Sequence, residues 1–290
     1  MPETTTISRA EDGLDRLEQT SGDRPRIGRA GLRILAAPLP AIGAVAVMVG
    51  VWQLVFSLEL QPPSVLPSPA EVAETAVDLA RDGSLVEALW VSGSRAVVGF
   101  ALSVFVGTLL GLALARVRLL RAALGPLVTA LLAMPAVAWV PAAIIAFGFT
   151  DAAIYSVVLV GAVPSVANGL VAGVDTIPPL LHRAGQVLGA RGWTMVRHVL
   201  LPAALPGYIA GVRQAWAFAW RSLMAAELIA SSPQLGVGVG QLLQQGRTLF
   251  DMPRVIVAMG LVLLIGLVVE LGVFGPLERR VLRLRGMALR

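Results

Sequence analysis

Lysine and cysteine are absent from the 290 residues, and histidine occurs only at His182 and His198. A phosphate-cradling Walker loop needs a lysine to reach the terminal phosphates, so the chain cannot be a P-loop ATPase. Without cysteine, disulfides, thiolate nucleophiles and cysteine zinc sites are excluded in any compartment. The two histidines stand too far apart for the His-Glu-x-x-His metalloprotease pattern, and no Gly-x-Ser-x-Gly nucleophile elbow occurs. Charge is scarce as well: 14 % of residues are charged and 56 % hydrophobic, with a mean hydropathy of +0.78. A soluble domain could not present a wetted surface with that composition, so the chain is expected in a bilayer.

What is present is a series of long apolar runs. Six candidates lie near 36–57, 94–115, 124–148, 153–174, 207–230 and 255–275. Each is long enough, at 1.5 Å per residue, to cross a hydrocarbon core of about 30 Å as a helix. No alternating-strand signature points to a barrel, so an all-α membrane protein with six transmembrane helices is expected. All twenty-three basic residues are arginine, and their placement sets the orientation. With the N-terminus inside, eighteen fall on inner segments, and only Arg81, Arg95, Arg247 and Arg254 fall on outer ones, with Arg221 left inside a span. Positively charged loops stay in the cytoplasm, so both termini are expected inside. The first thirty-three residues mix six arginines with acidic residues and hold no apolar run. They are expected to be a disordered cytoplasmic tail rather than a secretory signal.

On the outer side, the proline-dense stretch Gln61 to Pro69 cannot be helical. Ser68, Pro69 and Glu71 then form a capping-box start, and Asp82-Gly83 a stop, predicting a short helix over about 69–82. It either seats an external partner or packs on the mouth of the bundle. Gly-x-x-x-Gly spacing occurs at Gly107 and Gly111, Gly169 and Gly173, and Gly207 and Gly211, which allows close helix approach, within the chain or in a dimer.

Between the fourth and fifth spans lies a segment of about thirty residues, too long for a simple helix connection. Within it stand Arg183, Ala184, Gly185, Gly189, Ala190, Val199, Leu201 and Pro202. This resembles the cytoplasmic signature of binding-protein-dependent ABC importer permeases, E-A-A, three residues, G, nine residues, I, one residue, L-P. Ala184 matches the first Ala, Gly189 the Gly, Val199 the Ile, and Leu201-Pro202 the final pair, whereas Arg183 replaces the Glu and Gly185 the second Ala. The resemblance extends over roughly residues 50–285 and is closest to the nitrate, sulfonate, taurine and bicarbonate group. Leu66 to Pro69, Met134 to Pro141, Leu188 to Ala190 with Leu200 to Pro206, and Ala225-Ala226-Glu227 carry it.

The resemblance implies a type I ABC importer permease fold and a bacterial plasma membrane location. It also implies a homodimer bound to two cytoplasmic ATPase subunits and one external solute-binding protein. ATP and magnesium would then sit on the partner ATPase, with no cofactor on this chain, no catalysis by it and no nucleic-acid partner. The expected organisation is the tail over 1–33, the first transmembrane helix and outer-face segment over 34–93, a permease core over 94–275 and a basic cytoplasmic tail over 276–290. The core would contain a coupling loop over 175–206, with a helix, a turn at Gly189 and a second short helix.

Ionisable groups inside spans are expensive and therefore candidates for function. Arg221 in the fifth span is a cation on the path of an anionic solute, or else a salt-bridged or snorkelling group. Glu227 and Glu270 are gating or structural groups, the latter near the membrane interface. Asn168 lines the path or bonds a neighbouring helix. Pro135, Pro141 and Pro164 predict kinks, and Trp139 is a gate or a core residue. A self-sufficient secondary transporter would need more intramembrane carboxylates and a repeated hydropathy pattern, and neither is seen. The solute expected is an aliphatic sulfonate, taurine or another small anion, the alternative being an uncharged vitamin precursor.

Overall fold

The computed structural model describes residues 39–284 except 63, 231, 233 and 234. The expected tail over 1–33 and the last six residues of the basic tail lie outside the described residues. Two units are distinguished, meeting between Leu60 and Gln61. In the first, helix α1 (Leu39–Ser57) is apolar on all sides, with Val45, Val47, Met48 and Leu54 all exposed.

The second unit holds helices and no strand among its described residues. Helix α2 (Pro69–Arg81) opens on the capping box: the Ser68 hydroxyl accepts from the Glu71 amide and the Glu71 carboxylate accepts from the Ser68 amide. Two orphan amides are thereby satisfied. Gly83, at φ +84°, turns the chain into α3 (Ser84–Arg116). This helix starts ten residues before the expected span at 94, so the boundary drawn at 93 falls inside it. The early turns escape a hydropathy reading because they lie against protein, with Leu85, Ala88 and Leu89 packed on the ends of other helices.

The third span is not one straight helix. Helix α4 (Arg118–Ala133) follows Val117 alone, and a 3-10 turn (Ala136–Trp139) leads into α5 (Val140–Phe147) at a bend of 104°. Pro135 causes the break, because its ring drives Met134 out of the helical region, to φ −84° and ψ 128°. Pro141 makes no kink; it sits in the first turn of α5, where a missing amide costs nothing. Pro164 lies inside an unbroken helix, α6 (Asp151–Asp175).

Helix α7 (Pro179–Val187) is followed by a tight turn and then by α8, which runs unbroken from Gly192 to Ile229 with a widened π-turn at Val196–Leu200. The second short helix expected after Gly189 is thus the first part of a 38-residue rod. Helix α9 (Val239–Thr248), unanticipated from the sequence, precedes α10 (Met252–Val269), a π-turn (Glu270–Phe274) and α11 (Gly275–Leu284). Among the described residues, four helices are long and apolar enough to cross a membrane, five if α4 and α5 make one span. Helix α1 contributes only a shorter apolar stretch, Gly43–Ser57.

Helix α6 is the centre of the unit, half of its apolar window being buried. Its neighbours approach through missing side chains. A Cβ on Gly107 would stand 2.6 Å from Val166, one on Gly207 2.5 Å from the Gly173 Cα, and one on Gly211 2.6 Å from the Gly169 Cα. All three Gly-x-x-x-Gly pairs are therefore spent on α3–α6 and α6–α8 packing within one chain, and the dimer reading of them is set aside. The aromatic core stacks beside this contact, with Phe100 edge-on to Trp216 at 5.3 Å and Trp216 stacked on Trp220 at 6.1 Å.

Contacts fix the directions of the helices. Ser92 at the start of α3 meets Glu227 at the end of α8, whereas Thr108 further along α3 meets Tyr208 in its first half, at 2.7 Å. Arg121 at the start of α4 pairs with Asp175 at the end of α6, and Arg213 on α8 with Glu270 after α10. The helices α3, α4, α6, α8 and α10 therefore alternate up and down. One end holds Arg95 and Glu227; the other holds Arg121, Asp175 and the α7–α8 turn.

Candidate functional site

Three charged side chains of α8, Glu227, Arg221 and Arg213, differ in how completely each is neutralised. At the Glu227 end, the carboxylate is fully buried, and Arg95 is 4 % exposed. Glu227 accepts from the Ser92 hydroxyl at 2.6 Å, the Arg95 guanidinium at 3.2 Å and the Gly240 amide at 3.1 Å. Arg95 also donates to Asp151 at 2.8 Å and to the Leu235 carbonyl at 2.5 Å. Ser92 in turn accepts the Val239 amide at 2.8 Å. The cage draws together α3, the first residue of α6, the end of α8 and the chain entering α9. Gly238 and Gly240 are required there, since a Cβ on either would stand 2.6 Å from Glu227.

Arg95, counted among the outer loop arginines from the sequence, is thus an interior residue. Nothing local announces its partner, which stands 132 positions away. A signal for its face does exist: Ser92, Ala96, Gly99, Ser103, Gly107 and Gly111 form a stripe of small buried residues along α3, with Arg95 on its edge.

Arg221 stands in the opposite situation. Six residues before Glu227 on the same helix, or about 9 Å along the axis, its guanidinium donates Nε to its own helix at the Ala217 carbonyl, 3.0 Å, and lies 5.2 Å from the centre of the Phe218 ring. Among the described residues it has no ion-pair partner. It lines a cavity of about 320 Å3 together with Met134, Pro135, Gly161, Phe218 and Ser222. Pro135 and Arg221 are thus brought together, at the bend of the third span. The other expected path residues are not. Trp139 packs on the main core, with its indole N–H buried and unpartnered among the described residues. Asn168 points at Thr129 of α4 at 3.5 Å, the limit of a hydrogen bond, and Glu227 belongs to the cage.

Further along α8 towards its beginning, Arg213 donates to Glu270 at 2.7 Å and to Glu278 at 2.5 Å. Glu270 is therefore tied to another helix. Arg213 lies within α8, not in the inner loop where the sequence reading had counted it. A second cavity, about 400 Å3 and lined by Ala217, Trp220, Gly266 and Glu270, also touches Arg221. The guanidinium therefore borders two hollows, one on either flank of Arg221 along α8.

The loop residues sit at the other end of the bundle. Helix α7 ends in a full Schellman turn: the Ala190 amide reaches the Gly185 carbonyl at 2.8 Å and the Gly189 amide that of Gln186 at 3.0 Å. Gly189 stands at φ +81°, a conformation that a side chain makes costly. Gly185 is buried because Met195 and Val199 fold over it; a Cβ there would lie 2.9 Å from the Met195 sulfur. Arg183 and Ala184 are exposed, Ala190 and Val199 half-buried, and Leu201 and Pro202 exposed within α8.

Comparison with known proteins places the whole arrangement. Residues 103–283 match the binding-protein-dependent transport system inner membrane component family. The chain is 35 % identical over 251 residues to the riboflavin transport system permease protein of Chloroflexus aurantiacus, covering 84 % of this chain and 90 % of that one. It is 29 % identical over 245 residues to the taurine transport system permease protein of Escherichia coli, covering 83 % and 87 %. It is 27 % identical over 263 residues to the nitrate import permease protein of a Synechocystis species, covering 87 % and 93 %. The apolar crossing helices, their alternating directions and the glycine-turned loop between α6 and α8 are those of an inner membrane ABC transporter permease, and the chain belongs to the binding-protein-dependent transport system inner membrane component family.

Proposed function

We propose that the chain is one half of a homodimeric importer permease for a small organic or inorganic anion, with a sulfonate such as taurine as the foremost candidate. Two ATPase subunits bind on the cytoplasmic side and one solute-binding protein delivers from outside. The chain itself holds no nucleotide; ATP and magnesium belong to the ATPase partner. Six crossings are formed by α1, α3, the bent α4–α5 pair, α6, α8 and α10, with both termini inside. Arginine placement supports this orientation: Arg116, Arg118, Arg121, Arg183, Arg191, Arg197, Arg279 and Arg280 all belong to the α7 end of the molecule. The turn over Arg183 to Pro202 receives the push from the ATPase, and the rod α8 carries it to the Glu227 cage.

The observation that carries the substrate class is Arg221, an exposed cation on a span helix that has no carboxylate partner among the described residues and borders two cavities. A structural arginine in that setting would be paired, as Arg95 and Arg213 are. Arg221→Ala is expected to lower taurine or sulfonate uptake about tenfold or more, the loss of one hydrogen bond to a charged group worth ~1.5–3 kcal/mol. The measurement is uptake into proteoliposomes holding the intact complex, with ATPase content checked in parallel. Unchanged anion uptake with normal assembly would remove Arg221 from the path. A second reading, an uncharged aromatic solute, draws on the riboflavin permease relative. It predicts riboflavin uptake that Arg221→Ala leaves intact.

A further inference from the structure

We propose that the α7–α8 turn docks in a groove of the ATPase subunit that has an apolar floor and an acidic rim, with Arg183 and Arg191 meeting the rim. The inference rests on the permease reading above and adds the chemistry of the partner surface.

One side of α7 is already occupied, since Gly185 is covered by Met195 and Val199. A residue two positions before or after Gly185 is rotated by about 200° and faces the other way. That free side carries Leu180, Arg183 and Val187, spaced three and four residues apart. Leu180 is 75 % exposed, Val187 87 %, and Leu188 and Trp193 at the turn 86 % and 67 %. An apolar ridge this bare, held rigidly by a Schellman turn, is the shape of a segment that lies in a groove.

The charge around the ridge has one sign. No Asp or Glu occurs between Asp175 and Glu227, whereas Arg183, Arg191 and Arg197 do. Carboxylates on this half of the molecule are already committed, Asp175 to Arg121 and both Glu270 and Glu278 to Arg213. Arg183 and Arg191 are exposed, have no carboxylate among the described residues and are open to one on another chain. Arg183 also occupies the place at which the permease signature has an acidic residue, so a partner surface that meets it here should be acidic.

Anionic lipid headgroups are the competing source of negative charge. The length of α8 argues against them. Its 38 residues span about 57 Å, against about 30 Å of hydrocarbon. Its far end lies in the Glu227 cage, so its first turns and α7 are carried well clear of the acyl layer.

The test co-expresses the full-length permease with its ATPase subunit, extracts the complex in detergent and measures ATPase retained per permease across a salt series. Arg183→Glu with Arg191→Glu is expected to reduce retention about tenfold or more at low salt. Arg183→Gln with Arg191→Gln should leave weaker binding that no longer depends on salt, and Leu188→Asp should release the ATPase at any salt. Full retention by the double Glu variant, together with release by Leu188→Asp, would overturn the acidic rim while keeping the docking reading. Retention by all three variants would overturn the docking itself. Should the double Glu variant aggregate, wild-type binding that is insensitive to salt, or Gln-variant binding equal to wild type, would count against the rim. Retention that falls only when anionic lipid is stripped from the extract, with the same loss in the Gln variant, would assign the arginines to the membrane instead.

Discussion

Arg221 and Glu227 share one helix and one apolar neighbourhood, yet they differ in almost every physical respect. Glu227 is wholly enclosed and receives a guanidinium, a hydroxyl and a backbone amide. Arg221 is exposed to two cavities and, among the described residues, bonds only to its own helix. Isolated charge in a low-dielectric interior is costly, so a charge that persists must be matched by fixed partners or face a space that solvent or solute can fill. The cage takes the first solution and the Arg221 cavity the second. The importer proposed above would use both: a rigid end to transmit a push against, and a site whose neutralising partner comes and goes.

The largest effect should come from opening the cage. Arg95→Met leaves a buried carboxylate without its counter-charge, and breaking a buried pair in this way costs ~3–5 kcal/mol. Thermal unfolding of the detergent-purified chain would measure it. Replacing both partners, Arg95→Met with Glu227→Leu, should recover part of the loss, because two apolar residues bury no unpaired charge. A single variant within ~1 kcal/mol of wild type would mean that water already reaches Glu227, and the contrast with Arg221 would fail.

A middle-sized effect is expected at Gly240, whose Cβ would stand 2.6 Å from the Glu227 Cβ and 3.0 Å from the Met224 carbonyl oxygen. Alanine is a better helix former than glycine by ~1 kcal/mol, so at an open helical site Gly→Ala would stabilise. Here overpacking, typically ~1–3 kcal/mol, should win and Gly240→Ala should lower the unfolding midpoint. A raised midpoint would show that α9 can slide away from Glu227 and that the cage is looser than its hydrogen bonds imply.

The sequence revealed local features better than distant ones. The capping box at Ser68 and Glu71, the stop at Asp82-Gly83 and the turn at Gly189 are short-range chemistry, and each is legible from a few neighbouring residues. The bend at Met134-Pro135 was legible as a kink but not as a 104° break, because the angle depends on what packs against both halves. Helix α9 was missed because Gln241, Gln244 and Gln245 resemble loop polarity; its apolar residues, Val239 and Leu242, are buried under α3 and α10. Arg95 was misplaced for a deeper reason. Positive-inside counting treats an arginine near a span end as loop charge, and only a partner 132 residues away shows that it is interior. Of the expected path residues, Pro135 and Arg221 meet at one cavity while Trp139, Asn168 and Glu227 do not, since spacing along each helix could not say how the helices turn towards one another.

The smallest effect on stability is expected where the effect on transport is expected to be large. Arg221→Gln removes a full charge from the middle of a span, and by the reasoning that applies to Arg95 it should matter greatly. The geometry says otherwise. Arg and Gln have nearly equal helix propensity, so the backbone of α8 is indifferent to the exchange. The bond that is lost runs to the Ala217 carbonyl, which is already used by the helix itself, and the stacking on Phe218 at 5.2 Å is worth ~0.5–1 kcal/mol at an accessible site. Arg221 is exposed, so its charge is largely solvated and little is lost or gained by removing it, and the unfolding free energy should change by less than ~1 kcal/mol in either direction. The comparison is made on the same detergent-purified chain and scale as Arg95→Met. A destabilisation as large as that of Arg95→Met would mean that Arg221 is matched by a fixed carboxylate, one that the homodimer proposed above could supply from its second copy. The two charges on α8 would then be two structural ties, and the solute would have to be neutralised elsewhere.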